Sequence, residues 1–167
     1  RAAVSQGKKV IIFGVSYALL DLAELKIDLS QAIIIETGGM KGRRKELRKE
    51  ELHYELCAGL NVPFISSEYG MTELLSQAYS NKNGIFYCPP WMQIQLRDIN
   101  DPFSSSKPGK TGGINVIDLA NLNSCSFIAT QDLGRLELLS YESIHPGFKI
   151  MGRFDLSDIR GCNLMVS

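Results

Sequence analysis

The chain has 167 residues, 44% of them hydrophobic, and a formal net charge of +0. It can bury a real core, and it lacks the basic excess expected of a nucleic-acid binder. No apolar run approaches the roughly 20 residues of a membrane-spanning helix, and the N-terminus carries no basic-then-apolar leader pattern. Four cysteines, Cys57, Cys88, Cys125 and Cys162, stand far apart with no CxxC pair, and only two histidines accompany them. This argues against a zinc site and suits reduced thiols in the cytoplasm.

Residues 8–14 (KKVIIFG) read as a buried strand, a continuous apolar run closed by a glycine. Ser16 is placed to cap the helix that follows, in which leucines recur at helical spacing. Residues 32–36 (AIIIE) form a second buried strand ending at Thr37-Gly38-Gly39. Residues 41–60 read as an amphipathic helix, with Leu52, Leu56 and Leu60 every four positions, and Asn61-Val62-Pro63 breaks it. A third short strand, Phe64-Ile65-Ser66, follows. Apolar strands alternating with helices indicate a parallel sheet covered on both faces. Sites in such sheets lie at the carboxyl ends of the strands, here Gly14-Val15-Ser16, Thr37-Gly38-Gly39 and the stretch from Ser67 to Glu73.

Beyond about residue 84 the pattern changes. Short strand-like runs occur at 85–88, 93–97, 114–118, 127–130, 135–139 and 148–151, separated by Gly, Pro, Asn and Asp. Residues 100–113 have the composition of a loop. The expected fold is therefore α/β: a parallel sheet with flanking helices over residues 1–84, then a smaller antiparallel β-sheet or barrel-like subdomain over 85–167.

The stretch Ser67-Glu68-Tyr69-Gly70-Met71-Thr72-Glu73 combines groups suited to a nucleotide. A glycine admits close backbone approach, a Thr hydroxyl can bond a phosphate oxygen, a carboxylate can hold magnesium, and a Tyr face can stack on a purine. The same spacing fits an ordinary strand-to-helix turn with a Ser or Thr cap. Lys41 and Arg43, read at a helix start, suit an anion, but a solvated helix face is the favoured reading. His53, expected exposed or interfacial, and His145, expected in a turn, receive no catalytic role; Trp91 reads as a packing residue.

YGMTE resembles the YGxTE signature of adenylate-forming enzymes, the superfamily of acyl-CoA synthetases and peptide-synthetase adenylation domains. Gly38-Gly39 resembles the Gly-Gly turn that lines their adenine pocket. Thr130-Gln131-Asp132-Leu133-Gly134 resembles T-x-D-x-G, and Gly152-Arg153-Phe154-Asp155 resembles GRxD, both in the superfamily's order. GGMKGRRKE, EYGMTELLSQAY and GRFDLSDIRGCNLMVS look like the acyl-protein synthetase (LuxE-like) branch, with phenylacetate-CoA ligases as near relatives. The resemblance implies ATP and Mg2+ as cofactors. Residue by residue, it implies Tyr69 stacking on adenine, Gly38, Gly39 and Gly70 lining the nucleotide, Thr72 at the α-phosphate and Glu73 on magnesium. It further implies Asp132 on the ribose and Arg153 on nucleotide oxygens. Cys162, in Arg160-Gly161-Cys162, matches the cysteine that accepts the acyl group in that branch; a neighbouring Arg would favour its thiolate. Without the resemblance, Cys162 reads as a small semi-buried hydrophobe.

The implied reaction is ATP-dependent activation of a carboxylic acid, a fatty acid being the expected kind, followed by transfer to the cysteine. Acceptors consistent with this are a reductase, a carrier protein or coenzyme A. The alternatives are a ligase of the phenylacetate-CoA type, a non-catalytic nucleotide-binding or scaffold module, and a flavodoxin-like binding domain. The superfamily's Ser/Thr/Gly-rich phosphate loop does not occur, nor does a Walker A motif. The chain also begins without Met and stops before a mobile C-terminal domain with its Lys. The resemblance therefore implies the C-terminal portion of a longer enzyme, inactive in adenylation by itself. A bare apolar face or sheet edge would then favour self-association, for example as a homo-oligomer.

Overall fold

The computed structural model describes residues 5–39, 43–44, 47–81, 83–107, 109–137 and 146–154. The chain divides into two compact units: Arg1–Met71 with Gln77–Phe86, and Thr72–Ser76 with Tyr87–Ser167.

In unit 1, β1 (Val10–Val15), α1 (Ser16–Glu24), β2 (Ala32–Thr37), α2 (Lys49–Leu60), β3 (Ser66–Tyr69) and β4 (Ala78–Ser80) follow in order. β1, β2 and β3 pair in parallel, with Ile12 opposite Ile34 and Glu36 opposite Ser67, and β4 joins β3 antiparallel. Parallel neighbours need a crossover connection, and α1 and α2 lie in those connections. The core joins Leu19, Leu20 and Ala23 of α1 to Leu52, Leu56 and Leu60 of α2 over Ile34, with Ile12 and Ala32 packed against it. Strand side chains alternate between faces, so these even-numbered positions mark the helix side.

The opposite face departs from the sequence expectation of a sheet covered on both sides. Ile11, Phe13 and Ile33 are 53%, 55% and 42% exposed. A continuous apolar strand carries the signature of two buried faces, yet α1 and α2 both pack on one. The bare apolar face foreseen from the sequence is therefore present on β1 and β2.

Three further expectations change. Ser16 is the first residue of α1, not its cap; Val15 occupies the cap position. The buried Ser16 hydroxyl instead donates to Glu36 Oε2 at 3.2 Å. The helix read over 41–60 begins only at Lys49, where Glu51 accepts from the backbone N–H of Arg48 at 3.2 Å, as at a helix start. It ends as expected at Asn61, which takes the left-handed conformation with φ +53. The third strand begins at Ser66, so Ser67, Glu68 and Tyr69 belong to the strand itself.

A two-residue strand, β5 (Phe86–Tyr87), comes next. In unit 2, β6 (Met92–Arg97), β7 (Gly112–Asp118), β8 (Phe127–Glu137) and β9 (Gly147–Arg153) pair successively as an antiparallel sheet. The runs read separately at 127–130 and 135–139 are parts of the one strand β8. Among the described residues no helix is long and apolar enough to cross a membrane.

The helices of unit 1 approach closely at Gly59: a Cβ there would lie 2.6 Å from Ala23 Cβ and 2.7 Å from Ala23 O. In a solvated helix Gly→Ala stabilises by about 1 kcal/mol. Here the contact is with backbone, so Gly59→Ala is expected to destabilise by about 1–3 kcal/mol, read as a lower denaturant midpoint. An unchanged or higher midpoint would contradict this packing.

Candidate functional site

In unit 1 the strand ends collect polar groups. Gly38 follows β2 with φ +70, a left-handed turn that glycine adopts without strain, while a side chain at Gly39 would meet nothing. Thr37 Oγ1 donates to Glu68 Oε1 at 3.0 Å, and Tyr79 OH donates to Glu68 Oε2 at 2.8 Å. Tyr69 is 8% exposed, with its ring edge-on to Phe86 at 6.1 Å between centroids. Gly70 is exposed, and a Cβ there would lie 3.1 Å from Gln77 Cγ.

Beneath them lies a buried charge cluster. Glu36, 3% exposed, receives Lys49 Nζ at 2.9 Å and His53 Nε2 at 3.5 Å. Burial opposes its charge, but hydrogen bonds from His53, Lys49 and Ser67 and the Lys49 charge outweigh this and lower its pKa to about 2. Ser67 Oγ also meets His53 Nε2, at 3.3 Å. Serine, histidine and carboxylate together suggest a nucleophilic triad, but the geometry excludes one. Both partners meet the same ring nitrogen, where a triad needs both nitrogens, and Ser67 is fully buried. The cluster is structural, and His53 is a partly buried member of it.

Arg43 and Arg44 do not sit at a helix start. Arg43 stacks on the Tyr17 ring, 5.0 Å from its centroid, and Arg44 pairs with Asp21 and with Glu24, the latter at 2.7 Å. Lys41 lies outside the described residues.

In unit 2, Thr72 and Glu73 are exposed in the turn that precedes Leu74. Asp132 and Arg153 stand opposite each other on β8 and β9, with Arg153 Nε 3.1 Å from Asp132 Oδ1. Two irregularities produce this pairing. Asn115 pairs with Ala129 and Gly113 with Leu133, so Thr130, Gln131 and Asp132 share the space opposite Ile114 alone. On the other side, Gly134 pairs with Ile150 and Leu133 with Gly152, a bulge in β9 at which Gly152 takes φ +142.

A bulge leaves backbone groups without ladder partners, and here four of them have substitutes. Thr130 Oγ1 accepts from the Asp132 N–H at 3.1 Å and donates to Ile114 O at 3.0 Å. Gln131 O accepts from the Phe154 N–H at 2.7 Å. Arg97 donates to Ile114 O, Asn115 Oδ1 and Thr130 O at 2.9, 2.7 and 2.5 Å, and its guanidinium lies 5.5 Å from the centre of the Phe154 ring. Gly113 makes room: a Cβ there would lie 2.6 Å from Arg97 Cζ. The Thr and Gly of the two sequence elements thus have backbone reasons. Arg97 was not singled out from the sequence, because an arginine closing a strand carries no local sign of partners on two other strands.

The Cys162 position, with Arg160 and Asp155, lies outside the described residues, as does His145. Cys57, Cys88 and Cys125 are free thiols. Burial raises the pKa of Cys57, and burial with the nearby Asp118 charge pushes that of Cys88 up to about 12, which disfavours the thiolate at both. Trp91 is 53% exposed and donates to Ser76 Oγ at 2.9 Å, so it does more than pack. Among the described residues no three His, Cys, Asp or Glu side chains converge as a metal cage. A cleft of about 580 Å³ in unit 2, lined by Gln95, Arg97, Phe103, Lys110 and Asn115, shares Arg97 with the bulge and holds none of the residues of the four sequence elements.

No family model and no curated protein matches the chain. Solved structures do. ATP-bound MatB from Rhodopseudomonas palustris superposes with a TM-score of 0.60 at 16% identity, over 86% of this chain and 31% of that one. O-succinylbenzoate coenzyme A synthetase (MenE) from Bacillus subtilis, in complex with AMP, gives 0.59 at 21% identity, over 92% and 41%. The anthranilate CoA ligase AuaEII, in complex with anthranoyl-AMP, gives 0.57 at 15% identity, over 90% and 30%. The fold is the one that the matched part of each of these structures has. The chain spans roughly a third of the length of these structures.

Thr130 is 7% exposed and replaces two ladder bonds. Thr130→Val keeps the shape and removes the hydroxyl, leaving the Asp132 N–H without its acceptor. It is expected to cost about 1–3 kcal/mol and to speed amide exchange at Asp132. A stability loss near zero with unchanged exchange would contradict this role.

Proposed function

We propose that this chain is the nucleotide-binding portion of an ATP-dependent acid–thiol ligase of the adenylate-forming superfamily, in its acyl-protein synthetase branch. On this reading residues 1–84 and 85–167 are its α/β and β-rich subdomains. The observation that carries it is the facing of Asp132 and Arg153 across two bulged strands, at the residues that resemble T-x-D-x-G and GRxD.

The reaction begins with attack of a substrate carboxylate on the α-phosphorus of ATP, forming acyl-AMP and releasing pyrophosphate. Asp132 would accept from the ribose hydroxyls, and Arg153 would donate to nucleotide oxygens; its 73% exposed side chain is open to a ligand. Tyr69, Gly38, Gly39 and Gly70 would line the adenine. The exposed Thr72 hydroxyl would contact an α-phosphate oxygen, where charge builds in the transition state. Glu73 would hold Mg2+. One exposed carboxylate fits an ion that is habitually bound by one or two carboxylates together with substrate phosphates, and the ion would supply neutralising charge at those phosphates. The Cys162 thiolate would then attack the acyl carbonyl, forming the C–S bond as the C–O bond to AMP breaks and AMP leaves.

A second reading, transfer to coenzyme A, is favoured by the matched structures, which include CoA ligases. Free thiols suit a cytoplasmic setting, and the bare face of β1 and β2 suits self-association or a partner surface.

The test is intact mass spectrometry of the full-length enzyme with ATP, magnesium and a panel of carboxylic acids, beside Cys162→Ser. The expected result is an ATP-dependent, hydroxylamine-sensitive acyl adduct that is absent from the variant. AMP release that requires coenzyme A, with no adduct, would replace this reading with the second. No AMP formation with any acid would count against both.

A further inference from the structure

The segment Thr72–Ser76 interrupts unit 1 in sequence but belongs to unit 2, and it has no helix or strand of its own. Its backbone is held by two side chains from the end of β7 and the turn after it, Asp118 and Asn121, both with 0% exposure. Asp118 Oδ2 accepts from the Ser76 and Leu75 N–H groups at 2.8 and 3.1 Å, and Oδ1 accepts from the Ser76 hydroxyl at 2.7 Å. Asn121 Oδ1 accepts from the Leu75 N–H at 3.0 Å, and its Nδ2 donates to the carbonyl of Glu73 at 2.7 Å. Trp91 closes the set by donating to Ser76 Oγ.

A fully buried carboxylate is costly unless its oxygens are satisfied, and the bonds of Asp118 are aimed largely at one distant segment. Leu74 and Ser76 are buried on the clamp side, while Thr72 and Glu73 are exposed. We propose that Asp118 and Asn121 are positioning residues: they fix the peptide that carries Thr72 and Glu73, so that these side chains meet phosphate and metal from a preset backbone. Neither touches the nucleotide. The functional half of this inference rests on the nucleotide reading above; the clamp itself does not.

Asn121→Ala removes the hold on the Glu73 carbonyl, and Ser76→Ala removes only hydroxyl contacts, should the first variant fail to fold. Two readouts are taken on the full-length protein: binding of AMP and of adenosine by calorimetry, and amide exchange at Leu75 and Ser76 against β7 and β8. The expected result is AMP binding weakened about tenfold, equivalent to about 1.4 kcal/mol, with adenosine binding unchanged, the same split as Thr72→Ala. Exchange at Leu75 and Ser76 rises about tenfold while the strands keep their protection. AMP and adenosine weakening together would mark a merely structural role and overturn the proposal. So would unaltered exchange at Leu75 and Ser76. If the unaltered protein binds neither ligand, the nucleotide reading and the functional half fall together, and the exchange result alone upholds or overturns the clamp.

Discussion

The arrangement of unit 2 depends on what happens opposite Ile114. Three residues of β8 occupy the ladder space of one, and a sheet tolerates that only if the freed N–H and C=O groups find partners. Thr130 supplies a hydroxyl that both accepts and donates, Arg97 supplies a guanidinium with several donors, and Phe154 returns a backbone N–H. The glycines at 113 and 152 follow from the same constraint, one leaving room for Arg97 and the other turning the β9 bulge. The outcome is a carboxylate and a guanidinium side by side on adjacent strands. Bulges re-aim side chains in this way and collect beside functional sites.

Unit 1 rests on a different economy. Its helices meet where Gly59 lies against Ala23, and both pack on the same face of the parallel strands. Glu36 and Ser67 on the strands meet Ser16 of α1 and Lys49 and His53 of α2, a cluster that keeps a buried carboxylate ionised by surrounding it with donors. That cluster ties α1 and α2 to the ends of β2 and β3, which carry Gly38 and Tyr69. Its chemistry is spent on holding charge in place rather than on nucleophilic attack.

Much of this was legible in the sequence because it is written in local periodicity. The apolar runs at 8–14 and 32–36, the leucines at 52, 56 and 60, and the Gly- and Asp-punctuated strands after residue 84 map onto observed elements. What was not legible depends on partners remote in the chain. Ser16 has the composition of a cap, but a carboxylate 20 residues away takes its hydroxyl. Asp118 and Asn121 read as the end of a strand and a turn, yet their partners lie 42 to 48 residues upstream. The charge pattern runs on without a break from residue 41, whereas among the described residues the helix begins at Lys49. The apolar strand pattern likewise could not say that both helices would choose one face.

In the proposed function the bulged pair of strands faces the nucleotide. The most direct measurement is a residue-resolved amide titration of the protein with AMP. The expected result is saturable shifts centred on residues 130–134 and 152–153, lost in Asp132→Ala. Shifts absent from those residues, or gathered instead around the cleft at Gln95 and Lys110, would contradict it.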